Sequence, residues 1–200
     1  MIRFLFSIWL TIAGCLACAG CVSTRPVRYY TLSAAAPPAN QGKPDGLVLL
    51  VGAITTPESL QDGRIRYRSG ANESGAYEYD RWTERPGSIV RISLLRALRA
   101  SGQYRRVLES SSQAAGDYVL QGRLYEFGEV DGASIQSKIS LQVELIDRKT
   151  NRNVWDRVAE REEPVSGKTV PGVVQSLDRN LQRVVSETVV EIDKFLATRR

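Results

Sequence analysis

The chain has 200 residues, a net charge of +5, and hydrophobic and charged fractions of 42% and 24%, ordinary values for a globular domain. It contains no histidine. The commonest general base, the commonest metal ligand and the usual partner of a nucleophilic serine or cysteine are therefore missing, and an enzyme here would have to work through carboxylates or lysine. The mild basic excess fits arginines scattered over a solvated surface, and it leaves a preference for anionic headgroups open.

The only strongly apolar run lies at the start and ends in Leu16-Ala17-Cys18-Ala19-Gly20-Cys21-Val22-Ser23. Arg3 forms a charged leader, and residues 4–12 form an apolar core too short to span a bilayer comfortably. Small residues before a cysteine are what a lipoprotein signal peptidase needs, and the thiol then carries diacylglycerol. Cys15, Cys18 and Cys21 compete for that role. Ile12-Ala13-Gly14-Cys15 has the best local pattern but leaves a short signal; Cys21 gives an ordinary signal length and is the assignment favoured here. An ordinary signal peptide and an uncleaved anchor helix remain the alternatives. No cysteine follows Cys21, so the mature domain has no internal disulfide to make. Residues 1–20 are thus read as signal peptide. Residues 21–46 hold the lipidated cysteine, a tether, a short strand and a loop, and 47–200 form a single domain. Val22 is not the aspartate that retains lipoproteins at the inner membrane in enteric-type bacteria. The outer membrane, facing the periplasm, is the expected location.

Residues 29–32 have strand propensity, and 33–46 are rich in Ala, Pro and Gly and read as a loop. The continuous apolar run 47–54 predicts a strand buried on both faces. Residues 63–68 and 76–80 alternate and predict a hairpin across a turn-rich connection. Pro86 opens a helix with Ile89, Ile92, Leu94, Leu95 and Leu98 inward, closed by Ser101-Gly102. A strand at 104–108 and a polar loop follow. Residues 117–130 predict a long strand, in which Gly122 marks a bulge or a close backbone approach. Strict alternation over 135–145, a polar turn at 147–153 and a returning strand complete an antiparallel meander. The last helix begins near Pro171. It carries Val174, Leu177, Leu181, Val184, Val185, Thr188, Ile192, Phe195 and Leu196 on one face, with Arg183 on the other. The predicted fold class is α+β, a mainly antiparallel sheet with two helices packed on one face.

Tyr67, Tyr77, Tyr79 and Trp82 interleave with Arg64, Arg66, Arg68, Arg81 and Arg85. Such interleaving serves single-stranded nucleic acid elsewhere, but export makes nucleic acid an unsuitable partner. A protein or lipid interface fits the compartment, with Arg66, Arg68, Tyr67, Tyr79 and Trp82 as candidate partner-binding residues. The same aromatics also read as the cap of a core, with the arginines left in water. Asp156, Glu160, Glu162 and Glu163 fit a solvated strand face better than acid–base work. The sequence offers no cofactor motif, metal-ligand spacing or nucleophile elbow, so no catalytic, cofactor or metal residue is assigned.

A lipobox followed by Tyr29-Tyr30-Thr31-Leu32 resembles the auxiliary lipoproteins of ABC-type lipid transport systems, the paraquat-inducible protein C family. Arg64-Ile65-Arg66-Tyr67-Arg68, Tyr77-Glu78-Tyr79-Asp80-Arg81-Trp82, Pro86, Leu120-Gln121-Gly122-Arg123-Leu124 and the Leu145-Ile146-Asp147…Val154-Trp155 hairpin carry the same resemblance. It implies a non-enzymatic lipoprotein at the outer membrane. Its partners would be a periplasmic protein with mammalian-cell-entry domains and the ABC transporter or permease behind it, for movement of phospholipid or another lipid. A homo-oligomer is left open. The rival readings are an envelope hydrolase acting through carboxylates and an assembly lipoprotein of another outer-membrane machine.

Overall fold

The computed structural model describes residues 25–33, 45–70, 72–111 and 114–199. The signal segment, Cys15, Cys18, Cys21 and most of the 33–46 loop lie outside the described residues. The chain runs β1 (Arg28–Tyr30), β2 (Asp45–Thr55), a single 3-10 turn (Glu58–Leu60), β3 (Arg64–Ser69), β4 (Glu73–Trp82), α1 (Pro86–Ala100), β5 (Tyr104–Glu109), β6 (Tyr118–Asp131), β7 (Ile135–Asp147), β8 (Arg152–Pro164) and α2 (Val170–Ala197).

All eight strands join one sheet built around β6. On one side β6 pairs antiparallel with β7, and β7 with β8, which is the expected meander. On the other side its first part, 118–123, lies parallel to β2, and its last part, 128–131, lies parallel to β3. β5 runs parallel to β2, β4 antiparallel to β3, and β1 parallel to β4. The sheet is therefore mixed, which corrects the mainly antiparallel expectation. Adjacent hairpins announce themselves through local turns, whereas the parallel pairings are made by chain returning from a distance. β2 reaches β5 only after the β3–β4 hairpin and α1.

The apolar run of β2 is buried on both faces, as predicted. Leu49, Val51 and Ile54 join the main core. Leu50 faces the other way, against Gly116 in the connection after β5, and Asp117 accepts a 2.8 Å hydrogen bond from the Val48 N–H. The turn between β7 and β8 is built by Asp147, whose Oδ1 accepts from the N–H groups of Lys149 and Thr150.

Both helices cover the same face of the sheet, and the core between them holds Leu94, Leu98, Leu120, Leu124, Leu141 and Leu177. Pro86 sits in the first turn of α1, and Thr169 caps α2 by accepting from the Gly172 N–H at 3.3 Å. The predicted stripe of α2 is correct for Leu177, Leu181, Val184, Val185, Thr188, Ile192 and Leu196, while Val174 and Phe195 are only partly buried. Ser176 and Asn180 are also fully buried. Asn180 Nδ2 donates to the carbonyls of Ser137 and Arg161, and Ser176 bonds Ser137 Oγ at 2.8 Å, so a small polar cluster fixes α2 on β7 and β8.

Gly122 is a close approach of two backbones. A Cβ built there would lie 2.2 Å from the Gln142 carbonyl oxygen on β7. Because β6 is tied on both sides, the strand cannot retreat. Gly122→Ala should destabilise the domain by about 1–3 kcal/mol, the usual cost of forcing an extra methyl into packed structure. Urea unfolding checks this, and a variant as stable as wild type would show that the β6–β7 spacing relaxes freely.

Candidate functional site

Period-two alternation in β3 sends Ile65 into the core and Arg64, Arg66 and Arg68 to the face away from the helices. Tyr67 points to the helix side. Its ring lies across Gly75 of β4 and meets Tyr77 edge-to-face at 5.3 Å. The Tyr77 hydroxyl donates to Glu129 Oε2 at 2.7 Å. Burial and then the carboxylate beside it push the Tyr77 phenol well above its ordinary range, so it keeps its proton at any physiological pH.

The arginines are not left alone in water. Arg64 and Arg66 both bridge to Asp62, at 2.7 and 2.8 Å. Burial raises the Asp62 pKa, but hydrogen bonds from the Arg64 backbone and side chain and the two positive charges outweigh it and leave the carboxyl below its usual range. Arg68 reaches Glu126 at 3.4 Å, Glu126 reaches Lys138 at 3.1 Å, and Lys138 reaches Glu162 at 3.2 Å. An alternating ladder of charge thus crosses β3, β6, β7 and β8. The hydrogen bond that Lys138 donates to Glu126 is the main reason it holds its proton more tightly than an ordinary lysine; burial opposes it and Glu162 adds to it. A cleft of about 210 Å³ lies against this ladder, lined in part by Arg66, Tyr67, Arg68, Tyr125 and Lys138.

The structure therefore brings Arg66, Tyr67 and Arg68 to one cleft. Tyr79 is elsewhere, in a hollow with Arg25, Arg28, Tyr77 and Asp80. The separation arises from a register slip in the hairpin: Arg66 pairs with Ala76, but Arg64 pairs with Arg81, so residues between them bulge from the ladder. Trp82 is a correction. It is 3% exposed and packs edge-to-face on Phe127 in the core, 5.5 Å between ring centres. An indole held there offers nothing to a partner, because the end of β4 faces the core.

Sequence reading missed the Arg28–Asp80 pair, two hydrogen bonds of 2.8 and 3.0 Å that pin β1 to β4. Asp80 is buried, and only its spacing of two from Trp82, on the same inward face, hinted at it. The carboxylates of β8 do not converge. Glu162 meets Lys138 on one face, whereas Glu163 meets Arg183 and Arg179 on the other. Among the described residues no group of three or more His, Cys, Asp or Glu side chains is placed to hold a metal ion. No helix among them is long and apolar enough to cross a membrane.

The profile of the ABC-type transport auxiliary lipoprotein component family matches residues 30–189. The chain belongs to that family. Membership associates this auxiliary lipoprotein with an ABC-type transport system and, as a lipid-anchored protein, with the cell envelope. No curated protein matches the sequence. Among solved structures, protein XCC0632 of Xanthomonas campestris, assigned to family DUF330, is similar at 20% identity with a TM-score of 0.78 over 87% of this chain and 100% of that one. An uncharacterized protein follows at 16% identity and TM-score 0.65, covering 84% of this chain and 99% of that one. The hypothetical protein CT253 of Chlamydia trachomatis gives 11% and 0.51, over 74% of this auxiliary lipoprotein and 96% of that chain. At these identities the likeness is one of fold.

Proposed function

We propose that this protein is the outer-membrane auxiliary lipoprotein of an ABC-type intermembrane lipid transport system, and that it docks a periplasmic protein carrying mammalian-cell-entry domains. It contributes a binding surface, with no reaction of its own. Acyl chains on Cys21 hold it in the membrane; one chain anchors only marginally, so a triacylated cysteine is effectively permanent. The family match over residues 30–189 carries this reading. The hairpin supports it, since Arg66 and Arg68 are partly exposed and already ordered by Asp62 and Glu126. A pre-ordered guanidinium loses less freedom when it meets a partner carboxylate.

Two measurements test this. Arg66→Glu with Arg68→Glu, in the full lipoprotein, should weaken capture of the mammalian-cell-entry protein by at least about tenfold, as reversing charge at a docking patch does. Melting should stay within a few degrees of wild type, because a surface ion pair is worth under about 1 kcal/mol, with Arg66, its side chain 24% exposed and beside Asp62, the costlier of the two. Unchanged capture by a folded variant removes the hairpin from the docking surface. Mass spectrometry of the mature N-terminus should show an acylated peptide beginning at Cys21, and one beginning at Cys15 refutes that assignment.

A further inference from the structure

β1 and the residue before it present apolar side chains to solvent. In a strand on the edge of a soluble sheet, apolar side chains face inward and polar ones outward. Here Tyr30 packs on the core, while Arg28, its side chain 58% exposed, reaches along the surface to the buried carboxylate of Asp80. The outward positions are Val27 and Tyr29, which are 40% and 64% exposed. Tyr29 is the most exposed large hydrophobic residue among those described. Two ladder pairings flank it, Arg28 with Asp80 and Tyr30 with Trp82, so its direction is set by the sheet and not by a swinging tail.

Chain length says what covers these two side chains. Val27 lies six residues after Cys21. Fully extended, that segment spans at most about 20 Å. A cysteine anchored in the bilayer therefore holds Val27 within about 20 Å of it, in reach of the headgroup layer. Tyrosine is at home there, its ring among the upper methylenes and its hydroxyl in the hydrated zone.

We propose that Val27 and Tyr29 rest in the headgroup region of the bilayer and make the β1–β4 edge the membrane-facing side of the domain. This rests on lipidation at Cys21. The lipid holds the protein to the membrane, and β1 fixes its tilt. The far side of the sheet, β7 and β8, then points into the periplasm. An exposed edge strand is also a hazard for strand addition by another chain; seating β1 on lipid covers that edge.

Spin labels on the full lipidated protein test the proposal. Single variants Val27→Cys, Tyr29→Cys, Val158→Cys and Val190→Cys are labelled and reconstituted in vesicles of phosphatidylethanolamine with a minority of phosphatidylglycerol. Val158 and Val190 are also exposed, at 59% and 47%, but belong to β8 and α2. Labels at 27 and 29 should be reached by oxygen in preference to a water-soluble nickel chelate, and labels at 158 and 190 by the chelate. Equal access of the chelate to all four overturns the proposal. So does a label at 29 that is aqueous on bare vesicles and becomes protected only when a periplasmic protein is added. Acylation of Cys21 is read by mass on the same samples. An unmodified Cys21 is thus a failure of the anchor assignment, recorded separately from the depth of β1.

Discussion

Trp82→Ala will cost the domain about 3–5 kcal/mol, the range for deleting a buried aromatic side chain. The indole is 3% exposed and lies edge-to-face on Phe127 within the core. Its removal leaves a cavity beside Phe127 in the core and forfeits the ring–ring contact, which is worth about 0.5–1.5 kcal/mol beyond area. For a domain of this size each kcal/mol moves Tm by about 2–4 °C. A fall of roughly 6–20 °C should appear in thermal melts, and the urea midpoint should drop with it. The indole N–H is buried with no hydrogen-bond partner among the described residues. Trp82→Phe therefore loses no hydrogen bond and should retain most of the stability. If Trp82→Ala instead melts like wild type and loses partner binding, the indole belongs to an interface and this packing is wrong.

Leu181→Ala is the second large effect. Leu181 is 2% exposed at the middle of α2, against β7 and β8. Truncating it should cost about 2–5 kcal/mol. Arg183, two residues on, is the control. Its side chain is 58% exposed and pairs with Glu163 at 2.5 Å. It is not a bare surface position as the sequence implied, since Glu163 is nearly buried. Arg179, 3.8 Å from Glu163 in the intact protein, is left to face it once Arg183 is truncated. Arg183→Ala should cost up to about 1 kcal/mol. Equal losses for the two variants in urea unfolding would mean the helix is rotated from the phase described.

Where a pattern and its partner lie close in sequence, the sequence was enough. The alternation of 135–145, the Asp147 turn and the long stripe of α2 each carried period, boundary and face together. Gly122 announced a close approach and has one. The parallel pairings were hidden because no local signal says which distant strand β2 will meet, although its apolar run did report burial on both faces. Trp82 was misplaced for a related reason. Between arginines it reads as an interface anchor, and only the register slip in β4, with Asp80 buried two residues earlier, turns it inward. The ion pairs of Arg68 and Lys138 were illegible because their partners come from β6 and from β8; the Asp62 pair of Arg66 spans only four residues and was missed because no periodicity marks a charge in a turn. The hairpin itself was found, but not that its cleft takes Tyr67 while Tyr79 lies in another hollow.

The proposed docking of a mammalian-cell-entry protein uses the β3–β4 face. Photo-crosslinking in living cells tests it most directly, with a photoreactive residue placed in the full chain at Arg68 and, separately, at Val190 on α2. Ultraviolet light should yield an adduct with a mammalian-cell-entry protein from position 68 and none from 190. Absence of that adduct at 68, with the protein lipidated and folded, would contradict the account.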